Sequence, residues 1–332
     1  MQAGREYDLP NAAGATPGQA PAAPPTVEQL HLQCEALGLS HCLLLTGPAV
    51  LHAFEPDEID ALKAIGESVV EVPLCPERLS PDYWPSVIEL DLAHPVPAEI
   101  CRRAIERALD DWSPDALAEG RGHRIGAFLF SGARTDAIVR HLAHAFVQQR
   151  SDSDGQRLLG LADPAAFEGV WRVCDEAQRR RLLGPITQWR TLGRWGEWVD
   201  CHQPAARDAE AAAGGSLDLG DAQWSALFDV RPINRAWARA RADGCVVPRE
   251  TFERLPAVLQ RAHGYGLSDP QDLELFARHA LNAGAEFDRH PRIQRVLLDR
   301  PADMYYSLAV ADLGDADWAE IRGARPDGRA SQ

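Results

Sequence analysis

The stretch ADPAAFEGVWRVCDEAQRRRLLGPITQW, residues 162 to 189, carries fold signals in nearly every letter. Asp163 before Pro164 has the form of an N-cap followed by proline at the first helical position, where a missing N–H costs nothing and φ is already suitable. Phe167, Val170, Trp171 and Cys174 then recur at i, i+3, i+4 and i+7, one apolar stripe that needs a core. Asp175 with Gln178 three residues on is a second capping signal, and Gly184-Pro185 is a stop. Two short helices follow from this. Beyond the stop, Ile186, Trp189, Leu192, Trp195 and Trp198 stand among Thr, Arg and Gly, which suits a strand or irregular hairpin.

Working outward, residues 1–25 are rich in Pro, Ala and Gly without hydrophobic periodicity, so a disordered tail is expected there. Thr26 and Gln29 form a capping box for a helix to about Leu37. Strand-like runs come next at 41–46, 68–74, 86–92, 125–131 and 156–161. Helical patterns alternate with them at 57–65, 98–110 and 136–149. This alternation predicts an α/β N-terminal lobe over 26–200, a mixed sheet with flanking helices. Residues 201–220 lose periodicity and read as a linker. From 221 to 322 helical patterns take over, at 221–229, 231–242, 248–263, 268–283, 291–299 and 301–310, so an all-α C-terminal lobe is expected, with a second disordered tail over 323–332.

Composition limits the function classes. The chain has 332 residues, 45% hydrophobic and 25% charged, and no apolar run approaches the length of a membrane helix. The N-terminus lacks the basic and apolar regions of a signal peptide, so a cytoplasmic location is expected and no membrane partner. A net charge of −15 argues against a nucleic-acid partner, because phosphate binding needs a basic face. Seven scattered cysteines with no C-x-x-C pair argue against a disulfide framework or a zinc site.

Chemistry-bearing motifs are weak. His141 and His144 share a helix face but lack a third ligand, and Cys201-His202 are sequence neighbours in the expected linker. The segment GRGHRIG (120–126) has neither the dinucleotide nor the P-loop glycine pattern and reads as a turn; FLFSGA (128–133) lacks the nucleophile elbow; EPDEID (55–60) lacks calcium-loop spacing. No catalytic residue, cofactor site or metal site is assigned. The nine tryptophans carry more information. Trp171 and Trp224 lie on apolar stripes and are expected in the core. Trp189, Trp195 and Trp198, among arginines and glycines, and Arg235 with Trp237 on an arginine-rich helix, are the expected protein-binding anchors, since Trp and Arg are enriched at interfaces.

Taken together, HCLLLTG (41–47), VIELDL (87–92), GAFLFS (126–131) followed by HLAHAFVQQ (141–149), LLGLADPAAFEGVW (158–171) and GPITQW (184–189) resemble one family, the type VI secretion adaptor chaperones, also called Tap or TEC proteins. GLSDPQDLELFARHAL (266–281) and FDRHPRI (287–293) resemble the helical lobe often attached to that domain. The chain has Thr46-Gly47 where the family often has Asp-Gly. The resemblance implies a non-enzymatic protein that binds a toxic effector and helps load it onto the valine-glycine-repeat spike protein, VgrG. The alternative expectation is an α/β enzyme, a hydrolase or transferase, using a cleft between the lobes.

Overall fold

The computed structural model describes residues 25–48, 53–67, 69–74, 79–150, 155–202 and 215–323. The expected tails therefore fall almost wholly outside the described residues, as does 203–214 of the expected linker.

The stretch 162–189 forms two helices, α6 (Pro164–Val173) and α7 (Glu176–Leu183). The Asp163 carboxylate accepts the N–H groups of Ala165 and Ala166, and Asp175 with Gln178 closes a reciprocal capping box. Gly184 ends α7 at φ +54°, and an added Cβ there would lie 2.2 Å from the His141 ring, so only glycine fits both backbone and space.

The sheet has six strands: β1 (Cys42–Thr46), β2 (Val69–Glu71), β3 (Ser86–Leu90), β4 (Ile125–Phe130), β7 (Gln188–Leu192) and β8 (Trp198–His202). Their order is β2-β3-β1-β4-β7-β8. Every pair among them is antiparallel, so the α/β lobe holds but its sheet is not mixed. The run expected as a strand at 156–161 yields only β6 (Gln156–Leu158), which pairs with β5 (Val147–Gln149) in a separate ribbon. Hence the helix expected over 136–149, α5 (Thr135–Phe146), stops three residues early.

Strand periodicity divides the core. Leu44, Ile88, Phe128, Phe130 and Leu192 face one cluster, whereas Leu43, Leu45, Val87, Leu129 and Trp189 face the other. The second face is covered by α5, α6 and α7 through Ile138, Leu142, Phe167, Val170 and Leu182. The first is covered by α1 (Val27–Ala36), α2 (Pro56–Ala64) and α3 (Pro95–Asp111) through Leu30, Leu62, Ile100 and Ala104. With both faces covered, all five residues of β1 are buried.

The helical lobe comprises α8 (Asp221–Ala242), α9 (Arg249–Glu253), α10 (Leu255–Gly264), α11 (Pro270–Ala283), α12 (Pro291–Asp299), α13 (Tyr306–Ala309) and α14 (Asp315–Gly323). The two patterns at 221–229 and 231–242 are one helix, with Pro232 buried inside it. An interior proline removes one backbone hydrogen bond, and the packing of α8 outweighs that loss. Packing also overrides the expected linker at its described ends. Cys201 lies in β8, and Leu217 and Leu219 are buried in the second cluster. The first cluster runs without a break from Leu44 and Phe128 through Leu192 to Ile233, Trp237 and Phe276, so the lobes share a core. Gly169 of α6 permits a close approach between them: a Cβ at that position would lie 2.4 Å from a methyl of Val230 on α8.

Candidate functional site

Beside that contact, between α8 and the sheet lobe, lies a cavity of about 520 Å³. One wall is the loop from α4 (Pro114–Glu119) to β4, contributing Gly120 to His123. Residues 157–160 and the start of α6 form a second wall. The third is α8, from Trp224 to Ala238. Trp112 and Trp237, edge to face at 5.4 Å, line it together with Arg194 from the β7–β8 turn.

Arg194 is the most constrained charge in this cleft. Its side chain is 1% exposed, and its guanidinium centre lies 3.9 Å from the Phe252 ring centre and 5.2 Å from that of Trp237. Nε and Nη2 donate to Glu168 Oε2 at 3.0 and 2.5 Å, and Nη2 also donates to Asn234 Oδ1 at 3.2 Å. The other carboxylate oxygen, Glu168 Oε1, accepts from Arg172 at 2.9 Å. Burial works against both charges. For Glu168 the fields and hydrogen bonds of Arg194 and Arg172 outweigh burial and hold the carboxyl below its ordinary range. For Arg194 burial prevails over Glu168 and pushes the guanidinium down. A guanidinium still remains charged.

Arg194 Nη1 is buried and has no hydrogen-bond partner among the described residues, and the same holds for the indole Nε1 of Trp237 and of Trp224. Buried donors without acceptors are uncommon, because each forfeits its hydration. Next to them the Nδ1 of His123 stands 3.3 Å from Asp163 Oδ2, with its ring 4.2 Å from that of Trp112. Burial would raise the Asp163 carboxyl, but His123 and the two capping N–H groups hold it low. Among the described residues, five arginines (121, 157, 194, 231 and 235) line the cleft against one carboxylate, Asp163. Arg157 and Arg231 make no ion pair among the described residues, whereas Arg121 pairs with Glu119 at 2.7 Å and Arg235 with Glu274 at 3.0 Å. The cleft is thus basic in a chain of net charge −15. Phe228 and Leu158, 52% and 51% exposed, add apolar surface to the lining.

The five expected anchors separate. Trp237 and Arg235 line the cleft, Trp237 as a buried wall and Arg235 half-exposed. Trp195 is 37% exposed in the adjacent turn, edge to face with Phe252 at 5.5 Å and under the Arg249 guanidinium. Trp198 is half-buried and donates to Gln29 Oε1 at 2.9 Å, away from the cleft. Trp189 is fully buried on the second face, stacked on Phe167 at 4.3 Å, and offers no surface to a partner. Its strand parity aims it at the core, which corrects its expected role as an anchor. Arg194, His123 and Trp112 carry no sequence assignment, and Arg231 is legible only as part of the arginine-rich helix 231–242. The one local hint was an arginine between Gly193 and Trp195.

The weak motifs also find structural places. His141 is buried with Nε2 2.9 Å from the Leu182 carbonyl oxygen, and burial pushes the Cys201 thiol up to about 12. No helix among the described residues is long and apolar enough to cross a membrane. No family model, no curated protein and no solved structure matches the chain.

Proposed function

We propose that this chain is a cytoplasmic, non-enzymatic adaptor chaperone of the type VI secretion kind, which grips a segment of a toxic effector and helps load it onto the VgrG spike. The observation that carries the reading is the cleft between the sheet lobe and α8: apolar, walled by Trp112 and Trp237, exposing Phe228 and Leu158, and rich in arginine within an acidic chain. Such a surface suits an extended or helical segment with apolar and acidic side chains. Its charge excludes basic segments and steers acidic ones. The family resemblance of 41–200 supports the same role. Gripping of this kind buries on the order of 1,200–2,000 Å², so the contact extends from the cleft onto the surrounding surface.

The test is co-purification of the full chain with the effector encoded beside it and with VgrG. Binding at micromolar concentration that Arg231→Glu and Phe228→Ala weaken together supports the reading. Failure to bind any neighbouring effector or spike overturns it.

One observation favours the alternative, an α/β hydrolase or transferase: His123 and Asp163 form an acid–base pair in the same cleft. Among the described residues no serine, threonine, cysteine, lysine or tyrosine accompanies them in the lining, so with those residues such an enzyme would activate water through His123. His123→Ala separates the two readings, because it abolishes turnover in an enzyme and leaves effector binding largely intact in a chaperone.

A further inference from the structure

The interior of the cleft contains more than a gripping surface needs. An apolar groove requires no buried cation, yet Arg194, its side chain 1% exposed, sits in its lining. Glu168 meets two guanidiniums with its two oxygens, Oε1 on Arg172 and Oε2 on Arg194, and has no oxygen left for Nη1. Asp163 lies close enough for its field to favour the Arg194 charge, but its oxygens are committed to capping α6 and to His123. Asn234 takes Nη2. Among the described residues Nη1 and the Trp237 indole N–H therefore remain without acceptors, as does the Trp224 indole; the first two belong to side chains whose ring and guanidinium centres are 5.2 Å apart.

Resting on the chaperone reading above, we propose that Arg194 and Trp237 form a carboxylate-reading subsite, which takes an Asp or Glu side chain from an otherwise apolar stretch of the bound polypeptide. The chemistry fits each part. A carboxylate has two acceptor oxygens for the two donors, and hydrogen bonds to a charged partner are stronger than neutral ones. Arg172, Glu168 and Arg194 as a hydrogen-bonded group carry one positive charge, and an incoming carboxylate balances it. The aromatic rings of Trp112, Trp237 and Phe252 exclude water from the contact and so strengthen it. Arg157 and Arg231, without an ion pair among the described residues, supply the attraction that brings an acidic segment in.

The experiment titrates the full chain with two acetylated, amidated pentapeptides of leucine and phenylalanine, one with a central glutamate and one with a central glutamine, and with sodium acetate alone. Expected is a preference of about tenfold or more for glutamate, a shifted Trp237 indole N–H resonance with that peptide only, and negligible acetate binding at millimolar concentration. Arg194→Met should abolish the preference, and Trp237→Phe, which keeps an aromatic wall and deletes only the N–H donor, should reduce it severalfold even if the arginine variant fails to fold. Equal binding of the two peptides overturns the carboxylate subsite and leaves the gripping cleft standing. Acetate binding as tightly as the glutamate peptide overturns the polypeptide as its source. Binding of neither peptide overturns the subsite; the chaperone reading is judged separately, by the effector co-purification.

Discussion

Replacing Glu168 with glutamine puts the electrostatics of the cleft to a direct test. The change keeps the shape and removes the charge that two guanidiniums share. Breaking a buried ion pair by removing one partner costs about 3–5 kcal/mol, because the other charge stays buried and uncompensated. Arg194, 1% exposed, meets that condition. Glu168 does so less fully: its side chain is 35% exposed, Arg172 can turn toward water, and the amide oxygen of the variant still accepts one hydrogen bond. The lower figure of about 2–3 kcal/mol follows. For a chain of this length, at roughly 2 °C per kcal/mol, the melting temperature should fall by about 4–6 °C. Adding Arg194→Met should restore part of the loss, with a coupling of about 1–3 kcal/mol in the double-mutant cycle. The pH dependence has a definite sign. The folded carboxyl is held below its ordinary 4.5, so its contribution is complete above that value and is lost as pH falls through the lower folded one. Calorimetry of both proteins should show the full gap at pH 7 and its closure on acidification. A variant melting within about 1 °C of the parent at pH 7, or a gap unchanged in acid, would refute the account.

Gly184→Ala should destabilise by more than about 2 kcal/mol in urea unfolding, since φ is +54° and the new methyl meets the His141 ring; His141→Ala should relieve only the steric part. Trp189→Ala, emptying a fully buried site against Phe167, should cost about 3–5 kcal/mol, whereas Trp195→Ala in the exposed turn should cost less than about 1 kcal/mol, so equal losses would return Trp195 to the core. At the α8–α10 contact, burial opposes the His263 cation, but its hydrogen bond to Asp229 at 2.9 Å and that carboxylate's charge outweigh burial and raise the imidazole above 6.5. Asp229 is itself pushed up, by burial before anything else, so the gain rests on protonating the histidine. Stability from this pair is full below pH 6.5 and is lost as pH rises through the folded value; His263→Gln should flatten thermal stability as pH rises above 6.5.

What could be read from the sequence was what the chain decides locally. Asp163-Pro164, Asp175 with Gln178, and Gly184 set their helix ends by hydrogen bonds and backbone angles within a few residues, and all appear where the letters place them. The order of strands then helices needed only periodicity. Sheet direction needed pairings between distant segments such as Leu44 with Ile88 and Phe128, and no local signal encodes them. The tryptophans show the same boundary within one hairpin. Trp189 and Trp195 stand six residues apart in similar company, yet strand parity buries the first and the turn exposes the second. Arg194 was the least legible residue, because its surroundings are assembled from residues 112, 168, 234, 237 and 252.

The position of the cleft follows from α8 having two tasks. Its first half must close the second face of the sheet, which Trp224 does by burying against that cluster, and its second half must close the first face through Ile233, Trp237 and Ala240. One helix serving both faces has to pass from one face of the sheet lobe to the other. Gly169 lets it touch there at Val230, and the space beside the crossing has no side chains left to fill it. Polar groups caught at such a crossing are satisfied only in part, and the incompletely bonded Arg194 and Trp237 are what that leaves. A segment bound in the cleft would touch both halves of the shared core at once. Its binding free energy would then act on the joint between the lobes, so the bound chain should resist unfolding more than the free one by an amount set by ligand excess over Kd.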